Sequence, residues 1–364
     1  MIIRQIICGR LIGPMLMLGI CAGLCGGVDT ADAGVSPRVV VASYNVENLF
    51  DLKRSSTEYP GYIPGGAAGW DQGMLDKKLS HVARVIHDLD ADILALQEIE
   101  SRRALRLLNQ RLKTPYPYAA IADHKATTVK CALLTRHPVK EASEIRVSGE
   151  SARNILKAEI EIAGHALIVF VNHWKAKSGP ESARLPYARA LAAAIEDLAK
   201  DADFVVTGDL NANYNEFQTF QDDPELNDTD GITGINHILN TVQGSRLINE
   251  RLLNQKAESG IYLYNLWLEL SPDRRWSTRF FHQENSPDHI IVSPGLYDNQ
   301  GISYIDNSFD KFDPGYLFEG GRIKRWQRED KGRGRHLGRG FSDHLPVFAW
   351  FAPQPFSYRH DAPY

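Results

Sequence analysis

The stretch FVVTGDLN, residues 204–211, is the most informative for the fold, because an apolar run leads directly into an acid and an amide. Phe204 to Thr207 has the β-branched and apolar pattern that predicts a buried strand, and Asp209 and Asn211 follow it. Side chains at strand ends across one sheet can converge, so the sequence predicts one site assembled from distant segments. The same arrangement of an apolar run beside polar side chains recurs at Asn45, Gln97-Glu98, Asn172-His173, Asp288-His289 and Asp343-His344.

Helix-like and strand-like segments alternate only in part of the chain. Residues 76–89 and 187–198 carry apolar side chains at helical spacing, and each segment precedes a strand-like run. Between them, the runs 130–134, 155–162 and 166–171 follow one another with turn residues but no helix. Strands without intervening helices favour antiparallel pairing. We therefore predict an α+β fold with a mixed, largely antiparallel sheet sandwich covered by helices, rather than a doubly wound parallel sheet.

The composition is that of an ordinary globular protein. The 364 residues are 43% hydrophobic and 24% charged, which suffices for a large core. A formal net charge of −4 excludes a general attraction to polyanions, so any such attraction must come from a local patch. The sequence has no evident repeat and no linker that forces a domain boundary. We therefore expect one domain over residues 34–364 and a monomer, with no protein partner implied.

Residues 1–33 have the pattern of a signal peptide. Arg4 and Arg10 place positive charge around the start of the apolar, glycine-rich stretch 11–28, and Ala31-Asp32-Ala33 offers a small-x-small cleavage site. An uncleaved membrane anchor is one alternative, but glycines and a proline interrupt the apolar stretch. A lipid anchor is another alternative, although bulky residues precede both nearby cysteines. We expect export to the periplasm or the medium, and no membrane span after the signal is removed.

The polar side chains at the strand ends suit hydrolysis of a phosphate ester. That reaction needs a hard cation on the phosphoryl oxygens, an activated water and a proton for the leaving oxygen. Glu98 and Asn45 offer the oxygen ligands that Mg²⁺ prefers, and Mn²⁺ is possible too. No cysteine or histidine cluster has zinc spacing, which disfavours a zinc enzyme. Taken singly, Glu98 resembles a solvated acid and Asn45 a turn residue, so the argument depends on the whole set.

Two histidines stand out among the twelve in the chain. His344 lies beside Asp343 at the start of an apolar run, and His173 follows another such run. An aspartate from elsewhere could hold the imidazole of His344, and Asp288 is the best candidate.

Seven motifs together resemble those of the endonuclease/exonuclease/phosphatase superfamily, which contains deoxyribonuclease I, apurinic endonucleases, neutral sphingomyelinases and inositol polyphosphate 5-phosphatases. The resemblance runs from about Val39 to Phe351 and implies a four-layer α/β/β/α sandwich of two mostly antiparallel mixed sheets. The combination of GDLN and SDHLPV in this order is highly specific. The motifs are SYNVENLF at 43–50, LALQEIE at 94–100, CALLTRHPV at 131–139, VNHWKAKSG at 171–179, VTGDLNAN at 206–213, PDHIIVS at 287–293 and FSDHLPV at 341–347.

The resemblance implies a metal site and a water-activating pair. Asn45 and Glu98 match the metal-binding asparagine and glutamate of the family, and Asp343 matches a third, less direct metal contact. Asp209 matches the acid that orients or deprotonates the attacking water, and Asn211 the amide that holds the water and the phosphate.

The remaining matches concern the scissile phosphate and the leaving group. His344 matches the histidine that contacts the phosphate, and Asp288 the acid that fixes it. His173 aligns with the histidine that protonates the leaving group in the deoxyribonuclease I branch, and Arg153 resembles a phosphate-binding arginine of that branch. Because every matched position is filled, the sequence disfavours a decayed, non-catalytic member used for binding alone.

The substrate is open among three classes. A nuclease acting on DNA or RNA is favoured by His173, by the basic segment 322–339 just before Asp343, and by aromatic residues such as Trp326 that could stack on bases. The same basic segment is equally compatible with a solvated, glycine-rich loop.

A phospholipid hydrolase of the sphingomyelinase type, or a hydrolase of inositol phosphates, is the alternative. It would call for an exposed apolar hairpin or a lysine-rich pocket, and the sequence has no clear version of either. A surface-binding protein on an inactive scaffold is the third class.

Overall fold

The computed structural model describes residues 38–149, 151–255, 257, 260–280 and 283–353. Strands dominate it. In chain order they are β1 Val39–Leu49, β2 Ile93–Ile99, β3 Tyr118–Ile121, β4 Lys130–Thr135, β5 Val139–Ile145, β6 Ile155–Ile162, β7 His165–His173, β8 Phe204–Asp209, β9 Val242–Gln243, β10 Arg246–Leu247, β11 Tyr264–Asn265, β12 Thr278–Phe280, β13 Gln283–Asn285, β14 Asp288–Val292, β15 Ile302–Tyr304, β16 Asp310–Lys311, β17 Phe318–Glu319, β18 Arg322–Ile323 and β19 Val347–Pro353. The helices are α1 Gln72–Leu89, α2 Arg102–Arg111, α3 Leu185–Glu196, α4 Glu216–Thr219, α5 Glu250–Leu253 and α6 Glu329–Gly332, together with a π-helical turn Gly234–Ile238.

Most of the strands form two large mixed sheets. Sheet A has the order β15-β19-β1-β2-β4-β3, with β16 also paired to β19, and sheet B has the order β11-β14-β8-β7-β6-β5. Only β1–β2 and β7–β8 run parallel among the neighbouring strands of these two sheets as described. The predicted α+β sandwich of mostly antiparallel mixed sheets is confirmed.

The alternation of side chains along the strands produces four layers. In β1, Val39 and Val41 belong to an apolar cluster shared with β6, β7, β8 and β14, so this cluster fills the space between the two sheets. Ala42 and Tyr44 point to the opposite face and pack with residues of α1 and α2. The outer face of sheet B packs against α3 and the π-helical turn. The layers are therefore helices, sheet A, sheet B and helices, as the resemblance implies.

The helices begin at side chains that cap them. The Asp71 carboxylate accepts a hydrogen bond from the Met74 backbone N–H at 2.9 Å, so α1 begins four residues before the predicted helix. Ser101 caps α2 in the same way, with its hydroxyl accepting the Ala104 N–H at 2.9 Å. The sequence analysis did not predict α2, although this cap and its apolar positions at 104, 105 and 108 are helix signals.

Gly208 precedes the acid of the GDLN motif and has a φ of +123°, which side chains rarely allow. A Cβ at this position would lie 2.1 Å from the Asn172 carbonyl oxygen and 2.8 Å from the Asn172 nitrogen, both in the backbone of the neighbouring strand β7. The close approach of β8 to β7 therefore requires glycine at position 208. The register of these two strands in turn positions Asp209.

We expect Gly208→Ala to lower the free energy of unfolding by about 1–3 kcal/mol or more, because a backbone clash must be relieved in addition to the cost of positive φ. Thermal unfolding of the purified chain measures the effect. Gly164→Ala is the matched control, since Gly164 also has a positive φ of +87° but has nothing within 4 Å of the added Cβ. Equal losses in both variants would contradict the clash.

The basic segment 322–339 is folded against the protein rather than solvated throughout. His336 is buried, receives a hydrogen bond from the Trp326 indole N–H at 2.8 Å, and bonds the Gly61 carbonyl at 2.7 Å. Trp326 is only 3% exposed, so the expectation that its ring stacks on bases is wrong. The reason is that it packs edge-on to Trp70 beneath the loop that follows β1.

The predicted signal peptide lies outside the described residues. Among the helices that are described, none combines the length and apolar character that crossing a bilayer requires.

Candidate active site

The ends of four strands place polar side chains on the face that continues the inter-sheet core. Asn45, His173, Asp209 and Asp288 each lie an even number of residues from inward-facing core positions of their own strands. The parallel pairing of β7 with β8 sets His173 opposite Asp209, and the antiparallel pairing of β8 with β14 sets Asp209 opposite Asp288. The site therefore lies where both sheets end, as the strand-end pattern predicts.

Irregular backbone re-aims the side chains of sheet A at this edge. The register shifts between Asn45 and Leu49 on β1 and between Leu96 and Ile99 on β2. Glu47 and Glu98, within these shifts, have positive φ values of 50° and 66°. Non-glycine residues in this conformation are strained, and such residues cluster at active sites. The result is that the Asn45 amide N–H donates to the Glu98 carboxylate at 3.3 Å.

Asn45 connects the two sheets. Its amide nitrogen donates to the Asp209 carboxylate at 2.9 Å, whereas its amide oxygen accepts the Glu47 backbone N–H at 3.0 Å. This orientation gives Asn45 an orienting role towards Asp209, and its role as a metal ligand stays a prediction. Burial raises the pKa of Asp209 to about 7, although the positive charge of His344 opposes the rise. The Asp209 carboxylate also accepts the Asn211 N–H at 2.9 Å, which fixes its second oxygen.

His344 is held as a cation by surrounding acids. Its Nδ1 lies 2.8 Å from the Asp288 carboxylate, and its Nε2 lies 3.9 Å from Asp209. Burial lowers the pKa of His344, but the charges of Asp288, Asp209 and Asp343 outweigh it and raise the pKa well above its ordinary value. Ser277, to which the sequence analysis assigned no role, donates to the same Asp288 oxygen at 2.6 Å. Asp288 thus receives two hydrogen bonds that orient the His344 ring.

His173 has the opposite electrostatic setting. Its Nε2 lies 3.6 Å from the Asp209 carboxylate and 3.8 Å from that of Glu98, and its Nδ1 is buried without a hydrogen-bond partner. Burial lowers the pKa of His173 well below its ordinary value, and Arg153 and His344 add to this. The surroundings therefore shift the pKa values of two neighbouring histidines in opposite directions.

Arg153 and Asn211 share one backbone acceptor at the end of β7. The Arg153 guanidinium donates to the His173 carbonyl at 3.0 Å and to the Trp174 carbonyl at 2.6 Å. The Asn211 amide donates to the same Trp174 carbonyl at 3.2 Å. Both side chains are only partly buried. The structure thus brings all nine predicted site residues to one edge of the sandwich.

The oxygen donors at this edge fit a hard divalent cation. Burial, and then the charge of Asp343, raise the pKa of Glu98, so a cation that neutralises both carboxylates would be stabilised there. The donor set of Glu98 and Asp343, with solvent-accessible space, suits Mg²⁺ or Mn²⁺. A separate acidic cluster, Glu250, Glu269 and Asp306, has carboxylate oxygens within 4.8 Å of one another, but it contains none of the predicted residues.

A second group of charges that sequence reasoning missed lies behind Asp343. Glu47 is 6% exposed and accepts hydrogen bonds from the Arg325 guanidinium and, at 2.9 Å, from the Trp326 N–H. Burial, and then Asp343, raise the pKa of Glu47 to about 7. Lys78 is fully buried and donates to the Phe341 carbonyl at 2.8 Å. The segment 341–344, which carries two of the predicted site residues, is therefore tied to α1 and β1 by buried charges.

The arrangement matches acid–base and electrostatic chemistry on a phosphate. The Asp209 carboxylate and the Nε2 atom of His344 lie 3.9 Å apart, which brings a candidate base and a candidate cationic donor together. Ser342 donates to the Asn45 carbonyl at 2.7 Å and accepts the His344 N–H at 3.1 Å, which fixes the two halves of the site to each other.

Comparison with known proteins agrees with this geometry. Residues 40–352 match the family described as Endonuclease/Exonuclease/phosphatase family. Among curated proteins, no sequence matches this chain significantly.

Solved structures resemble the chain at low identity. A humanised TDP2 of D. rerio carrying 14 mutations aligns with a TM-score of 0.53 and 13% identity, over 86% of this chain and 98% of that chain. D. rerio TDP2 with a single-strand DNA product gives a TM-score of 0.52 and 13% identity over the same shares. A mannosyl-6-phosphatase of Bacteroides thetaiotaomicron gives 0.52 and 15% identity, over 86% of this chain and 99% of that chain. At these identities the likeness establishes the fold.

The family match spans nearly all of the described residues and includes every strand that carries the site. The chain therefore belongs to the Endonuclease/Exonuclease/phosphatase family, and it is a phosphoester hydrolase with an α+β sandwich fold.

Proposed function

We propose that the protein is an exported, metal-dependent phosphodiesterase that cleaves DNA or RNA. The observation that carries the choice of a polyanionic substrate is the basic segment 322–339, which ends four positions before Asp343. The side chains of Arg333, Arg335 and Arg339 are exposed on it. Family membership supports the reaction class, and the signal-like pattern of residues 1–33 supports export of a mature chain 34–364.

A cleft lined mostly by basic side chains also supports an anionic substrate. Its volume is about 450 Å³, and the segments that follow β1 and β2 line it. Five basic side chains outnumber three acidic ones in its lining, so its net charge favours an anion. The charged residues in the lining are Lys53, Arg54, Arg102, Arg103 and Lys130, with Asp51, Glu100 and Asp123.

Tyr59 offers the aromatic surface that Trp326 does not. It is 39% exposed, one of three large hydrophobic side chains with that much exposure in the part of the chain that the structure describes. Burial, and then the charge of Glu98, raise the pKa of the Tyr59 hydroxyl. An exposed ring on the loop that follows β1 is suited to stacking on a base.

In the proposed mechanism the substrate phosphate lies between Glu98 and His344. A bound Mg²⁺ or Mn²⁺ would be held by Glu98 and Asp343, with Asn45 adjacent, and would supply charge neutralisation on the phosphoryl oxygens. Asp209, fixed by Asn45 and the Asn211 N–H, takes the proton of the attacking water. The His344 cation donates to the phosphate, Asn211 and Arg153 hold it, and His173 serves the leaving oxygen.

Replacing Arg333, Arg335 and Arg339 together by serine tests the nucleic-acid assignment. We expect the apparent KM for long DNA or RNA to rise and its salt dependence to flatten, because each phosphate contact removed lowers the salt slope by about one. Hydrolysis of a small phosphodiester, which does not reach beyond the catalytic cluster, should change little. The measurement is initial rate against salt concentration on both substrates.

Three outcomes separate the substrate classes. An unchanged salt dependence on polymeric DNA and RNA would remove the argument for a nuclease. Loss of binding to anionic vesicles in the same variant would favour a phospholipid substrate. Phosphate release from a sugar phosphate or an inositol phosphate, without nicking of an intact plasmid, would favour a phosphatase.

A further inference from the structure

Arg325 is an exposed cation in direct contact with Asp343, one of the two proposed metal-binding carboxylates. Its guanidinium lies 3.1 Å from the Asp343 Oδ2 atom, and 59% of the side chain is exposed. The other contacts of the same guanidinium go to the Glu47 carboxylate, through Nε at 2.9 Å and through Nη2. Both carboxylates therefore engage the Nε and Nη2 edge, and within the described residues no group accepts a hydrogen bond from Nη1.

The backbone around Arg325 is fixed as firmly as its side chain. The Phe341 N–H donates to the Lys324 carbonyl at 2.7 Å, and a Cβ on Gly340 would lie 1.8 Å from the Arg325 carbonyl oxygen. Gly340 has a φ of +86°, so its lack of a side chain permits this close approach. The segment that carries Arg325 is thus packed directly on the segment that carries Asp343 and His344.

Glu47 holds this arginine in place through buried contacts. Its second oxygen accepts the Trp326 N–H, and its carboxylate is nearly excluded from solvent. An ion pair with one buried partner restricts the rotamers of an otherwise flexible side chain, which lowers the entropy lost when a ligand binds. Arginine suits this task because its planar donors contact a carboxylate on one edge and an oxyanion on the other.

We propose that Arg325 is a substrate-binding residue whose free Nη1 edge donates to an anionic oxygen of the substrate phosphate on the Asp343 side of the site. Its contact is with Oδ2 of Asp343, so Oδ1 would stay available to a cation. The phosphate is then flanked by Arg153 near His173 and by Arg325 near Asp343. This inference rests on phosphoester hydrolysis and is independent of whether the substrate is a nucleic acid.

The test is binding of inorganic phosphate and of Mn²⁺, measured separately by calorimetry on the full chain. With Mg²⁺ saturating, Arg325→Gln should weaken phosphate binding by about tenfold or more, the usual effect of losing a charge-assisted hydrogen bond. Mn²⁺ binding without phosphate should be unchanged or tighter, because a cation beside Asp343 has been removed. Arg274→Gln is the matched control, since Arg274 pairs with Asp310 at 2.8 Å in an exposed ion pair that contains no site residue.

Two results would overturn the inference. Weaker Mn²⁺ binding with unchanged phosphate affinity would mean that Arg325 only positions Asp343. Unchanged binding of both ligands would mean that Arg325 neither binds phosphate nor positions Asp343. If Arg325→Gln unfolds because Glu47 is left buried and unpaired, Glu47→Gln combined with Arg325→Gln removes both charges and is measured instead. Failure to cleave polymeric DNA would leave the phosphate result standing, so the two proposals fail separately.

Discussion

Glu98→Ala is expected to abolish metal-dependent hydrolysis while the fold stays intact. Glu98 is the carboxylate that faces Asn45 and His173 at the predicted metal site, and 20% of its side chain is exposed. Bound metal supplies several kcal/mol of charge stabilisation, and each 1.4 kcal/mol corresponds to about a factor of ten in rate. We therefore expect a loss of at least about a thousandfold, measured as initial rate on a small phosphodiester with saturating Mg²⁺.

The structural part of this expectation is tested in the same preparation. Glu98 is not part of an apolar cluster, so truncation leaves no core cavity and the melting temperature should stay close to that of the parent chain. Glu161→Ala is the control, because Glu161 pairs with Lys140 in an exposed ion pair on sheet B. Near-parental turnover of Glu98→Ala, or unchanged Mn²⁺ affinity, would refute its assignment as a metal ligand.

The sequence predicted the sandwich because the evidence for it is local. A run such as Phe204 to Thr207 carries its strand signal in its own residues, and alternation along β1 already separates Val41 from Ala42. The observed strands are longer than predicted at the catalytic end. β7 and β8 include His173 and Asp209, which are polar and so have no apolar signal, because pairing with a neighbouring strand extends both elements.

The pairings that assemble the site are not local. Asp209 and Asp288 are register partners across 79 positions, and nothing in either run states which strand it will join. The motif resemblance identified these residues, whereas only the strand pairing in the structure explains why they lie together. Ser277 illustrates the difference, because a serine that donates to a buried aspartate has no distinguishing sequence pattern.

The charges behind the site show why buried ion pairs escape sequence reasoning. Glu47 lies inside the SYNVENLF motif and Arg325 inside the basic segment, separated by 278 positions. A glutamate usually predicts a solvated side chain, whereas Glu47 has a positive φ of 50° and is only 6% exposed. The basic segment likewise looked uniform in sequence. Its structure divides it into Arg325, which contacts site residues, and exposed arginines such as Arg333.

His173 and His344 provide a further contrast that depends on three-dimensional surroundings. Both lie beside apolar runs, and neither run indicates whether its histidine carries a charge. Acids surround His344 and raise its pKa, whereas burial lowers that of His173. The first therefore suits a permanent phosphate contact, and the second a group whose proton state responds to the arriving anion.

His173→Ala and His344→Ala are each expected to lower the rate on a natural phosphodiester by at least about a hundredfold, the usual contribution of a positioned proton donor or phosphate contact. The two variants should differ on a substrate with a nitrophenolate leaving group, which needs no protonation. Such a substrate should largely rescue His173→Ala, because the only task lost is proton delivery. It should not rescue His344→Ala, because the ring held by Asp288 at 2.8 Å acts on the phosphate itself.

His87→Ala serves as the control, since His87 is 49% exposed on α1. Equal losses on both substrates would contradict the separate roles, and rescue of His344→Ala alone would exchange them.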